Sequence, residues 1–151
     1  MWILLIPIMM CLEACYYDLQ TREIPDGVSL RILISGLLVT GLSWYSLSWS
    51  DALLGVAVAL LVTFPFTWTD GIGGGDLKLI GALGAWLGPI PVLGMLFWTA
   101  LSGMVLALVA HLRRKPDFAY APAIAAGMVL TACFPRGVSW LIEQIRGLQV
   151  S

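Results

Sequence analysis

The chain has 151 residues, of which 60% are hydrophobic and only 11% charged, with a mean hydropathy of +0.93. Soluble domains are only about 45–50% apolar, so this composition points to a polytopic membrane protein. The formal net charge of −1 is spread without a basic stripe, which excludes a nucleic-acid-binding surface.

A bilayer-spanning helix takes about 20 mainly apolar residues, so the length allows about six spans and leaves no room for a soluble domain. The expected fold is all-α, with residues 1–151 forming one integral-membrane domain. The first apolar run covers residues 2–17 and contains one acid, Glu13, before ending at Asp18. No Lys or Arg precedes it, so it lacks the cationic start of a cleaved signal peptide. A polar segment follows, in which Pro25-Asp26-Gly27 marks a turn shaped by Asp26.

The second span is expected over residues 28–49, with Arg31 snorkelling toward water. The third runs over 52–69 behind a cap at Asp51, and Pro65 stands near its end as a site for a kink. After a glycine-rich loop, the fourth span runs over 77–87 and stops at Gly88-Pro89-Ile90-Pro91, where two prolines remove backbone donors. The fifth covers 92–112 and the sixth 118–134. Residues 136–151 interleave Trp140, Leu141, Ile142 and Ile145 with Glu143, Gln144 and Arg146, the pattern of a helix lying in the membrane interface.

Arg22, Arg31, Lys78, Arg113, Arg114 and Lys115 fall on one side of this arrangement, and only Arg136 and Arg146 on the other. The positive-inside rule makes the first side cytoplasmic, with both termini outside. Asp18 and the glycine loop then share one face. Trp44, Tyr45, Trp49 and Trp68 read as interfacial anchors, and Gly84 with Gly88 as a close helix contact. The three cysteines, Cys11, Cys15 and Cys133, form no C-x-x-C pair and read as core filler.

The chemistry concentrates at Asp70-Gly71-Ile72-Gly73-Gly74-Gly75-Asp76-Leu77-Lys78. An acid at a membrane edge is costly and is by default a functional candidate. Two aspartates, Asp18 and Asp76, at the ends of different spans suggest paired carboxyls. Such a pair keeps one proton between two acids, so one member acts as acid while the other activates water. Gly73 and Gly75 are expected to adopt conformations barred to other residues and to let a substrate strand approach. Asp76 is expected where the next helix starts, among free N–H donors. Lys78 is either a counter-charge or an interface anchor. The same residues also fit a plain connection in which Asp76 only caps a helix. The loop lacks the Gly-Lys-Ser/Thr ending of a P-loop and the spacing of a dinucleotide fingerprint.

Three stretches carry a resemblance. Gly73-Gly74-Gly75-Asp76-Leu77-Lys78-Leu79 resembles the GxGD signature of the prepilin peptidase family of membrane aspartyl proteases. Tyr17-Asp18-Leu19 with Ile24-Pro25-Asp26 is similar to that family's first motif, and Tyr120-Ala121-Pro122-Ala123 to its third. The resemblance implies that Asp18 and Asp76 are the catalytic dyad, supported by Gly73, Gly75, Lys78 and Pro122. It also implies cleavage of the short basic leader of membrane-anchored prepilin-like precursors at the cytoplasmic face of the inner or plasma membrane, without metal or organic cofactor. A homo-oligomer is left open. Paired C-x-x-C motifs and the N-terminal domain of longer bifunctional members are not seen in this sequence, which puts N-methylation in doubt. Two other readings stand beside it: a presenilin-like protease cutting within spans, and a small proton or cation transporter using the same acids. Asp70, six residues before Asp76, reads as a tuning or leader-binding acid, and Glu23 and Asp117 as cytoplasmic acids whose first reading is a solvated loop role and whose second is attraction of a basic leader.

Overall fold

A computed structural model describes residues 2–44, 47–68, 72–113 and 119–134. A 3₁₀ turn at Trp2–Leu4 leads into six helices: α1 (Leu5–Thr21), α2 (Asp26–Gly41), α3 (Trp49–Thr67), α4 (Gly74–Leu87), α5 (Pro89–Leu112) and α6 (Ala121–Cys133). Among the described residues there is no strand, as an all-α chain requires. The expected interfacial helix at 136–151 lies outside the described residues, as do Tyr45, Asp70, Arg114, Lys115 and Asp117.

The bundle is organised around α4. Every residue from 79 to 87 is buried, Trp86 and Leu83 almost completely. Both α2 and α3 lie mainly on α4 rather than on each other, and α5 packs on α3 and α6. A helix enclosed in this way need not meet lipid along its length, which explains how α4 can have only 14 residues. Among the described residues two helices are long and apolar enough to cross a membrane, the 19-residue α3 and the 24-residue α5. Their outward faces carry Leu53, Leu61, Phe64, Met104 and Leu108, all exposed, as a lipid-facing surface would.

Close approach depends on small residues. Gly55 of α3 and Gly84 of α4 meet backbone to backbone: a Cβ added at either would overlap the other's carbonyl oxygen. Gly84 therefore makes the close contact expected of it, and its partner is Gly55. Gly88 touches the same spot and also ends α4. Its φ of +77° is a left-handed conformation natural to glycine, and its N–H closes on Gly84 O at 2.9 Å. Trp86 fills the α2–α4 interface and donates its indole N–H to Ile32 O at 2.9 Å, so its polar edge is satisfied inside the core.

Several sequence boundaries move. The second helix stops at Gly41, not near residue 49, and Trp49 opens α3. The cap of α3 is Ser48, whose Oγ accepts from Asp51 N at 3.1 Å and donates to Asp51 Oδ2 at 2.7 Å; Asp51 is its first-turn partner and not the cap. The fifth helix begins at Pro89, because both prolines fall in the first turn, where N–H groups have no intrahelical partner to lose. Arg31 is held by Glu13 at 2.6 Å, tying α2 to α1. Of the cysteines only Cys11 is core; Cys15 is half-buried and Cys133 exposed.

The Gly55–Gly84 contact is tested by Gly55→Ala and Gly84→Ala. Each forces two backbones apart and is expected to cost about 1–3 kcal/mol, read as a lower thermal midpoint in detergent, whereas Gly27→Ala, with open space at its Cβ, leaves the midpoint unchanged.

Candidate active site

The site forms where three helix ends meet. Asp18 lies in the last turn of α1, three residues before Thr21, so it is part of the helix and not of the loop after it. Its neighbour in space is the head of α6: Asp18 Oδ2 accepts a hydrogen bond from Ala121 N at 2.9 Å. The first N–H groups of a helix have no partner of their own, so α6 offers a donor and Asp18 occupies it. Asp18 is only 7% exposed, yet its carboxylate is thereby tied to the backbone. The turn beyond it is closed by Arg22, which sits at φ 59° and returns its N–H to Asp18 O at 3.1 Å.

Asp76 enters from the head of α4, ahead of the apolar run that starts at Leu77. Gly73 is the N-cap and Asp76 the third residue in, with its carboxylate bonded by the Gly73 backbone N–H. An acid at this position is favoured by the helix dipole. Asp76 is thus a first-turn partner of the N-cap Gly73, as Asp51 is of Ser48, and not itself the cap. Its other oxygen, Oδ1, is buried without a hydrogen-bond partner among the described residues. Burial, and next the charge of Asp18, hold the Asp76 carboxyl above the ordinary carboxylate range, while the Gly73 N–H pulls the other way.

Asp18 and Asp76 line one cavity of about 290 Å³, together with Arg22, Glu23, Asp26 and the glycines 73–75. The structure thus brings together the two aspartates that the sequence singled out. The glycines work differently from expectation. None of 73–75 has a positive φ; Gly88 is the one described glycine that does. What they provide is room. A Cβ on Gly73 would stand 3.3 Å from Asp76 Oδ2, one on Gly75 would stand 3.2 Å from Ile24 Cβ, and one on Gly74 would meet nothing within 4 Å. Gly75 lets the α1–α2 connection settle on α4, which brings Asp18 and Asp76 to one cavity.

Lys78 does not pair with Asp76. It reaches Asp26 Oδ1 at 2.6 Å, joining the heads of α4 and α2, and both side chains are well exposed. Asp26, the first residue of α2, therefore has a role across the bundle in addition to its place at the Pro25 turn. Pro122 is the second residue of α6, where a missing N–H costs nothing, directly after the donor Ala121. Tyr120 was legible only as part of a motif. Its phenol lies close enough to Asp76 for that charge, after burial, to raise its proton affinity. Among the described residues no group of three His, Cys, Asp or Glu side chains is placed to hold a metal ion.

Residues 4–108 match the type IV leader peptidase family, a stretch that includes both aspartates, the glycine loop and Lys78. The chain belongs to that family. Among its relatives, a prepilin leader peptidase/N-methyltransferase of Pectobacterium carotovorum subsp. carotovorum is 34% identical over 140 residues, covering 85% of this chain and 50% of the relative. The proteins of the same description from Burkholderia pseudomallei (34% identity, 78% of this chain, 41% of the relative) and Neisseria gonorrhoeae (31%, 83% and 47%) are similar. This chain spans about half the length of these relatives or less. No solved structure matches it significantly. Family membership and the apolar helices point to a membrane protein.

The packing at the loop makes a separable prediction. Gly75→Val presses on Ile24 and is expected to lower thermal stability in detergent by about 1–3 kcal/mol, whereas Gly74→Ala adds a methyl to open space and leaves the midpoint where it was.

Proposed function

We propose that this chain is a membrane aspartyl endopeptidase of the prepilin type. It removes the short basic leader of membrane-anchored prepilin-like precursors at the cytoplasmic face of the inner or plasma membrane. One observation carries the reading: two acids from helices far apart in the chain line a single cavity at helix ends. The relatives named as prepilin leader peptidases support it. So does the position of the acids, since a transporter would carry them mid-helix whereas Asp18 ends α1 and Asp76 begins α4. Six spans, with both termini outside, put this end of the bundle in the cytoplasm.

In this mechanism the pair holds one proton. The carboxylate member takes a proton from a water whose oxygen attacks the scissile carbonyl carbon, while the protonated member hydrogen-bonds the carbonyl oxygen. The tetrahedral intermediate then collapses as a proton passes to the leaving nitrogen. Neither residue is fixed as acid or base. The cavity wall carries Asp18, Glu23, Asp26 and Asp76 against Arg22, a balance that attracts a basic leader. The proposal is confined to the peptidase step, since hydrolysis is the chemistry a carboxyl pair supplies.

Cleavage of a co-expressed precursor, followed by leader loss on a gel and by initial rates in detergent, tests the assignment. Asp18→Asn and Asp76→Asn are each expected to lower kcat by about 10²–10⁴-fold; wild-type rates in both would rule out the dyad. The pH profile gives a second check. A carboxyl whose proton affinity is raised keeps its proton to higher pH, so the alkaline loss of kcat/KM is expected above the ordinary carboxylate range, about pH 4.

A further inference from the structure

Beside the catalytic cavity lies a second hollow, an apolar groove of about 410 Å³. Because α2 and α3 rest on α4 more than on each other, a cleft remains between them with α4 as its floor. Leu30 and Leu33 of α2 form one wall, Val56 and Leu60 of α3 the other, and Gly81 and Ala82 the base. From Gly27 to Leu33 it follows α2 for about 9 Å. The Asp26–Lys78 ion pair stands at its head, and Asp26 also lines the catalytic cavity, so groove and cavity meet across one residue.

The groove holds an unsatisfied group. Ser29, 5% exposed, lines it, and its Oγ is buried with no hydrogen-bond partner among the described residues. A buried hydroxyl left unpaired is costly, and a helix backbone carbonyl, which has a second lone pair, is an acceptor that completes it. Another hollow of about 390 Å³, between α3 and α5, is lined by Tyr120 and likewise holds a buried unpaired hydroxyl, that of Thr99, among the described residues. It shares no lining residue with the catalytic cavity, whereas the α2–α3 groove shares Asp26.

We infer that the groove between α2 and α3 is the seat of the apolar segment that follows the scissile bond of the substrate. This rests on the peptidase reading above. A bond cut at Asp18 and Asp76 just ahead of an apolar helix leaves that helix to run from the cavity into the bilayer. The groove begins at Asp26, descends alongside α2 and opens sideways between two helices, the arrangement by which an apolar helix is held in a groove. The paired charges at its head stand where a peptide backbone passes from water to lipid. At the base Gly81 is closed over by Leu60, and Ala82 completes an apolar floor. Recognition thus divides in two: acids read the leader, and the groove reads the segment behind it.

The test uses the full chain in nanodiscs with two substrates, a membrane-anchored precursor and a short peptide that spans the scissile bond but lacks the apolar segment. Leu33→Trp and Val56→Trp fill the groove from opposite walls, and thermal midpoints identify any variant that fails to fold. Selectivity for the precursor over the peptide, as the ratio of kcat/KM values, is expected to fall at least about tenfold in each folded variant. A ratio equal to that of the wild type overturns the inference. A photo-crosslinking residue at Leu33, with Met104 on the outer face of α5 as control, gives a readout independent of turnover. Adducts between position 33 and the precursor's apolar segment are expected; adducts with phospholipid alone, or equal yields at 33 and 104, overturn it. Failure of the wild-type chain to cleave either substrate would instead overturn the peptidase reading itself, whatever the crosslinks show.

Discussion

A carboxylate inside an apolar helix bundle needs a donor, and the bond from Ala121 N to Asp18 Oδ2 provides one. That bond joins the end of α1 to the head of α6, the first and last of the described helices. It satisfies a helix-terminal N–H that burial would otherwise leave unpaired, and it points one acid at the cavity. Asp76 is held by the same physics from the head of α4, through the N–H of Gly73. Both acids are thus bonded by backbone donors at helix ends.

The surrounding bundle keeps those helix ends in register. Gly55 against Gly84 brings α3 into contact with α4, Trp86 locks α2 to α4 through Ile32, and Glu13–Arg31 with Asp26–Lys78 ties α2 to α1 and to α4. The exposed ion pairs are worth little as stability, since solvent screens them. Their value is in direction: Lys78 is drawn toward Asp26 and kept from pairing with Asp76, although it lies only two residues along.

Much of this was legible in the sequence. Charge is so rare in this chain that Asp18 and Asp76 stand out without any structure, and the punctuation of glycine and proline marks most helix ends. The all-α fold and the helix start at Asp76 followed from the same signals. What was not legible has a common cause, in that it depends on partners far away in the chain. Nothing local says that Lys78 meets Asp26, that Arg31 meets Glu13, or that Trp86 reaches Ile32 O. The glycines were misread for the same reason. A run of Gly73-Gly74-Gly75 suggests unusual backbone angles, whereas the structure uses two of the three for space beside Ile24 and Asp76. Helical periodicity likewise cannot show that α1 continues past Asp18 through polar residues to Thr21.

The central claim is that Asp18 and Asp76 share one site, in which burial and the charge of Asp18 hold the proton on Asp76. Infrared titration of protonated carboxyl groups in the full chain, comparing wild type with Asp18→Asn, measures this directly. The account predicts that removing the Asp18 charge lowers the pH at which Asp76 gives up its proton. A titration of Asp76 that is unchanged in Asp18→Asn would contradict it.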